Sequence, residues 1–223
     1  MNILSIGGSD PSSGAGIQAD IRASSSLGAN CLTTLTAVTS QNSKSFLDVQ
    51  ALSQDTVERQ IDSVFSDFAI DAIVIGMVYS PEAILAIYKK IKGVKIRVTV
   101  DPVIKSTTGG ILLREDAMET FLKKIIPLAD VVTPNVWEAE QISGRKIRKK
   151  TDLLAVAKKI RKMGAGSVII TGTEFEKGRI SDYIHDGKKS WFVSGKRSRL
   201  EPTVAAATLL LHSRTTWHPE RAF

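Results

Sequence analysis

Almost from the first residue, short apolar and β-branched runs alternate with longer segments whose apolar positions recur every three or four residues. The short runs fall at residues 2–6, 31–37, 72–76, 97–101, 131–133 and 167–171. Most are continuous rather than alternating, the pattern of parallel strands covered on both faces. The periodic segments predict helices at residues 17–27, 56–67, 81–91, 116–128, 136–142 and 153–163. In the second of these Val57, Ile61 and Val64 share a face, and Ser53 or Asp55 is available as a cap. Near the end, runs at 179–185 and 190–193 flank Asp186-Gly187, a hairpin signal. Repeated strand–helix units predict an α/β protein with a mostly parallel sheet and helices on both faces. With no internal repeat, linker or low-complexity tract, residues 1–223 read as one domain.

Composition narrows the class of protein. At 43% hydrophobic and 24% charged over 223 residues, the chain can bury a sizeable core. No stretch approaches 18 apolar residues, so no membrane span is expected. The first residues, MNILSIGGSDPSSG, hold too short an apolar run for a secretory leader, and a cytoplasmic location is expected. Cys31 stands alone, which excludes an internal disulfide and a thiolate metal cluster. The net charge is +7, and nine basic residues crowd residues 145–162. Leu153, Val156, Ala157 and Ile160 recur there at helical spacing, so the stretch reads as a helix with a solvated basic face. It lacks the interleaved aromatics and module of a nucleic-acid binder, so phosphorylated small molecules are the expected partners.

In open parallel sheets ligands collect at the carboxyl ends of the strands, and here those ends carry unusual residues. The first strand runs into GGSDPSSGAG and a helix, so that backbone N–H groups can approach a ligand. The loop is neither a dinucleotide fingerprint nor a Walker loop, and a plain tight turn is the alternative. Asp20 lies one turn into the helix, where it either faces the crevice or is solvated. Gln41 offers a donor beside an acceptor, suited to a heterocycle edge, or is a loop amide. Gly76 and Met77 supply an apolar wall or simple core. Asp101 ends the fourth strand, where it can hold a metal or its waters. Lys105 follows, able to neutralise phosphate, ahead of Thr107, Thr108, Gly109 and Gly110. Asn135 and Glu138 open a helix three residues apart, a spacing suited to water-mediated Mg²⁺. Capping alone accounts for Asn135 but not for Glu138. Thr171 and Gly172 end the sixth strand, open to a nucleotide.

Taken in order, GGSDPSSGAGIQAD, SQN, IGM, VDPV, the lysine before the glycines, TPNxxE and the final TG resemble the ribokinase-like fold. More closely, they resemble the hydroxymethylpyrimidine/phosphomethylpyrimidine kinases of thiamine synthesis. The resemblance covers residues 3–193 and implies a three-layer α/β enzyme using ATP and Mg²⁺. It implies that Asp20 and Gln41 bind the aminopyrimidine, with Gly8, Met77 and Val103 lining its pocket. Asp101, Asn135 and Glu138 would organise Mg²⁺–ATP, with Asp101 and Glu138 as its metal-side carboxylates. Thr171 and Gly172 would lie by the nucleotide and Lys105 by the transferred phosphate. Dimerisation is common in that family, so a homodimer is compatible with the resemblance.

The resemblance breaks after the last hairpin. The family carries a Gly-x-Gly-Cys anion hole there, where this chain reads RLEPTVAAATLLLHSRTT. Read one base early, codons for Glu201 through Ala207 can spell Thr-His-Gly-Ser-Gly-Cys. A shifted reading frame near Leu200 is therefore expected, with residues from about 200 to 223 foreign to the fold. Two alternatives stay open beside the pyrimidine kinase: a pyridoxal-type kinase of the same fold, and a pyrimidine binder disarmed by loss of the anion hole.

Overall fold

In the computed structural model, which describes residues 1–106 and 108–196, the apolar runs line up as one nine-stranded sheet. Its strands are β1 (Asn2–Ser9), β2 (Asn30–Gln41), β3 (Phe46–Ala51), β4 (Ala72–Ile75), β5 (Arg97–Val100), β6 (Val131–Val132), β7 (Ser167–Glu176), β8 (Arg179–His185) and β9 (Ser190–Lys196). They lie in the order β3-β2-β1-β4-β5-β6-β7-β8-β9. Strands β2, β1, β4, β5, β6 and β7 run parallel. Strands β3, β8 and β9 are antiparallel to the strands beside them. The helices are α1 (Gly16–Ser26), α2 (Gln54–Asp67), α3 (Pro81–Ile91), α4 (Met118–Lys124), α5 (Val136–Ser143) and α6 (Lys150–Lys162).

The continuous apolar runs are explained by burial from both sides. On one face Leu4, Ile6, Ile73, Ile75, Val100 and Val132 pack with apolar residues of α2 to α6, among them Ile61, Ile87, Phe121, Ile142 and Ile160. On the other, Ile3, Ala72 and Val74 meet Ala23 of α1. Each such side chain withdrawn from water contributes about 1.5–3 kcal/mol, which fixes the register of the central strands.

Three features differ from the sequence expectation. The helix expected at 116–128 is broken into a 3₁₀ turn at Glu115–Ala117, α4, and a second 3₁₀ turn at Ile126–Leu128. Pro127 is the reason for the second break, since it has no N–H to donate and its ring excludes a continuing α-helix. Strand β3 was not anticipated: FLDVQA is mostly exposed and pairs antiparallel with the end of β2. Strands β1, β2, β7 and β9 run past their expected ends, β1 taking in Gly7, Gly8 and Ser9 and β7 entering the hairpin with β8. The Gly-x-Gly-Cys departure and the proposed frame change fall outside the described residues.

The chain leaves β1 toward β2 and β3, then returns across β1 to β4. Connections therefore depart in opposite directions from β1 and β4, which opens a crevice beyond their carboxyl ends.

Candidate active site

The glycine-rich loop closes one side of that crevice. Gly16 has φ 62°, and a Cβ there would stand 2.5 Å from the Gly8 carbonyl oxygen and 3.1 Å from the Asp10 nitrogen. Only glycine lets α1 begin so close to the end of β1. Asp10 holds the loop shut: Oδ1 accepts the Ser12 N–H at 2.9 Å and its hydroxyl at 2.8 Å, and Oδ2 accepts the Ala15 N–H at 2.8 Å. Burial pushes the Asp10 carboxyl up, but these bonds and one from Gln41 hold it below the ordinary carboxylate value. Gln18 accepts the Asp10 N–H at 2.9 Å and donates to Ser9 Oγ at 2.7 Å. The N–H groups of Asp10, Ser12 and Ala15 are thus spent on side chains within the loop rather than aimed at a ligand.

Beyond the loop lies a cavity of about 120 Å³, lined among others by Gly8, Asp20, Gln41, Met77, Asp101 and Val103. It sits at the sheet's switch point, so its walls come from segments distant in sequence. A Cβ on Gly8 would meet Met77 Sδ at 2.5 Å, which makes Gly8 the space that the methionine fills. Thr36 donates to the Met77 carbonyl at 2.6 Å and fixes that turn. The apolar wall is a small cluster in which Ala37, Met77 and Leu112 pack with Phe46, Tyr79 and Val103. Leu112 arrives on a strap after β5, where the N–H groups of Leu112 and Leu113 both bond the Ile104 carbonyl at 2.9 and 3.2 Å. Gly110 on this strap rests directly against the Phe46 ring. Lys105, paired across the strap with Ile111, is exposed and does not line the cavity.

Three carboxylates influence one another, Asp20 and Asp101 on the cavity and Glu138 beside it. Asp20 accepts a hydrogen bond from Ser5 Oγ at 2.6 Å, and burial pushes it up while that bond partly restrains it. Asp101 is held by a long contact from the Thr133 hydroxyl, 3.4 Å. Burial, then Glu138 and Asp20 nearby, push Asp101 up to about 7. Glu138 is buried and pushed up to about 7, although its oxygens accept the Asn135 N–H at 3.0 Å and the Ile104 N–H at 3.3 Å. Asn135 in turn accepts the Glu138 N–H at 2.9 Å. Capping therefore accounts for both residues: they form a reciprocal capping box on α5. The Ile104 bond goes further and ties α5 to the strap after Asp101. Among the described residues none of the three carboxylates has an ion pair.

Thr171 and Asn135 are also brought together, through a backbone bridge in which the Thr171 N–H bonds the Pro134 carbonyl at 2.9 Å. Gly172 follows at φ 69°, and its N–H is taken by Asp182 Oδ1 at 3.0 Å. Of the residues singled out from the sequence, Gly8, Asp20, Gln41, Met77, Asp101 and Val103 share the cavity. Asn135 and Glu138, just after β6, and Thr171 and Gly172, midway along β7, form a neighbouring group, and Lys105 stands apart on the strap. The sequence reading missed Ser5, Asp10, Thr36 and Phe46. Ser5 had a signal, as a lone polar residue inside an apolar strand; Asp10 had one in the Asp-Pro pair that starts the loop turn.

The chain is 40% identical over 185 residues to the hydroxymethylpyrimidine/phosphomethylpyrimidine kinase of Rhizobium meliloti, covering 82% of this chain and 70% of that protein. A phosphomethylpyrimidine kinase structure from Clostridium difficile superposes with a TM-score of 0.80 at 34% identity, covering 96% of this chain and 97% of the other. The pyridoxal kinase of Staphylococcus aureus, solved in complex with AMP-PCP, superposes with a TM-score of 0.85 at 28% identity, covering 98% and 82%. Sheet, crevice and neighbours together define a kinase of the ribokinase-like fold. Within that class the chain belongs to the phosphomethylpyrimidine kinase family, which it matches over residues 10–204.

Proposed function

We propose that this kinase transfers the terminal phosphoryl group of ATP to 4-amino-5-hydroxymethyl-2-methylpyrimidine or its phosphate, toward the diphosphate used in thiamine diphosphate synthesis. The observation that carries this reading is the cavity at the switch point. It places two polar side chains, Asp20 and Gln41, beside an apolar wall of Gly8, Met77 and Val103, with Asp101 at the same cavity. A flat heterocycle with one polar edge and one methyl-bearing edge suits such walls.

Phosphoryl transfer asks the protein mainly for positioning and charge neutralisation. Asn135 and Glu138 after β6 lie beside Thr171 and Gly172 of β7 and would flank the nucleotide, with Lys105 on the strap available to the transferred phosphate. A divalent cation fits the carboxylates present. Asp101 is crowded by Glu138 and Asp20 without a compensating cationic side chain, and its oxygens have few other partners. Glu138, with both oxygens engaged by N–H groups, would act through water. Among the described residues no group of three or more His, Cys, Asp or Glu is placed to hold a metal by itself, so waters and phosphate oxygens would have to complete the shell around one or two carboxylates. That donor set agrees with Mg²⁺, which keeps several waters and takes phosphate oxygens. When bound, the ion would neutralise phosphate charge.

A pyridoxal-type acceptor is the second reading, favoured by the close superposition on the pyridoxal kinase. ADP release by the full chain, with Mg²⁺–ATP and each acceptor in turn, separates the two. Turnover with the pyrimidine that is lost on Asp20→Ala is the expected result. Preference for pyridoxal would sink the first reading, and tight pyrimidine binding without ADP release would identify a disarmed binder.

A further inference from the structure

Ser5 interrupts the apolar run of β1 and is fully buried. It lies on a central strand, in register with Thr33 of β2 on one side and Val74 of β4 on the other. Its position is therefore fixed by backbone pairing on both flanks. Ser5 does not line the cavity, whereas Asp20, its partner at 2.6 Å, does. That separation lies in the ordinary range of charge-assisted hydroxyl–carboxylate bonds. Among the described residues Ser5 is the only hydrogen-bond partner of the Asp20 carboxylate, and it engages Oδ2.

We propose that Ser5 is a positioning residue that sets the donor–acceptor pattern the cavity accepts. By occupying Oδ2 it leaves Asp20 one acceptor oxygen, Oδ1, for a bound molecule, and so selects a heterocycle whose edge carries an N–H donor. The inference rests on the cavity being the acceptor site, as proposed above. A carboxylate tethered through one oxygen to a rigid strand cannot turn its plane without breaking that bond. Its remaining oxygen can only accept. A ring edge with an exocyclic amino group satisfies it, while a ring edge presenting a lone pair or an oxyanion leaves two acceptors facing each other out of water. Sites of this kind reject the analogue lacking the donor because the buried polar group is left unpaired.

The test uses the full chain and calorimetric binding of two probes. One is 4-amino-5-hydroxymethyl-2-methylpyrimidine, and the other is the same compound with hydrogen in place of the amino group. The wild-type chain should bind the amino compound about tenfold tighter or better, the scale of one charged hydrogen bond. Ser5→Ala should reduce that preference to within about twofold, by weakening the amino compound while leaving the deaminated one unchanged. Ser5→Thr keeps the hydroxyl and should retain the preference. A general loosening of the fold would weaken both probes alike. An unchanged ratio in Ser5→Ala, or equal weakening of both probes, overturns the inference while the assignment of the cavity stands. A wild-type chain that binds neither probe overturns that assignment, and this inference with it.

Discussion

Single residues in this protein carry two duties at once, and Glu138 shows it most plainly. Its carboxylate closes the capping box on α5 and also accepts the Ile104 N–H, so one side chain joins a helix start to the strap beside Asp101. Glu138→Ala removes half of the box and leaves a buried N–H unsatisfied. At pH 5, where burial keeps the carboxyl largely protonated and its charge costs little, a loss of about 2 kcal/mol is expected, read as a lower urea midpoint at unchanged slope. Asp182 gives the pH counterpart. Burial pushes its carboxyl above the ordinary 3.8, although the Gly172 N–H partly offsets this. A raised folded-state pKa means that ionised Asp182 costs stability above that pKa, while below 3.8 the cost is absent because both states are protonated. Asp182→Asn keeps an acceptor for Gly172 and removes the charge. It should therefore raise the melting temperature at pH 8 and leave it nearly unchanged below pH 4. A gain of equal size at both ends would contradict the assigned cause. At this scale the sequence was readable where a residue type suited one task, as with Met77 or Asp101. It marked Ser5 and Asp10 only as unusual residue types and not by role, because their roles depend on a partner 15 residues away in one case and on a folded loop in the other.

At the scale of elements, the loop from β1 to α1 is a hinge point of the architecture. Two glycines at positive φ bracket α1 but differ in what surrounds them. Gly28 has φ 70° with nothing within 4 Å of its would-be Cβ, whereas Gly16 has the Gly8 oxygen at 2.5 Å. Gly28→Ala should cost about 1 kcal/mol from backbone conformation alone. Gly16→Ala should cost at least twice as much, because β1 and α1 must also separate, and it should weaken pyrimidine binding by opening the cavity wall. Equal denaturation midpoints for the two variants would show that the close approach is not enforced. Helix positions were legible because burying one face imposes a 3.6-residue period, and α3 begins and ends where the pattern places it. The break at Pro127 was legible in principle, since proline's missing donor is a local fact. Strand β3 was not, because an exposed edge strand needs no apolar alternation and owes its existence to β2 beside it.

The molecule as a whole is organised by the reversal of direction at β1. That reversal puts the ends of β1, β2, β4 and β5 around one cavity, with the end of β6 and the middle of β7 beside it. Among the described residues no helix is long and apolar enough to cross a membrane. The basic residues of α6 and the preceding loop are partly neutralised, Lys146 by Glu140 and Lys150 by Glu176. They read as a solvated face set away from the cavity.

The sequence alone determined the class of fold, the approximate elements and the residue types available at each strand end. These follow from local rules: periodicity, turn chemistry and the apolar runs that doubly covered strands require. Only the tertiary structure decided which of those ends meet. It gathered Gly8, Asp20, Gln41, Met77, Asp101 and Val103 around one space, gave Glu138 to a cap and left Lys105 on an exposed strap. The physical reason is that proximity across a sheet is set by strand order and register, and the partners of a buried polar group by whatever that order brings within 3 Å.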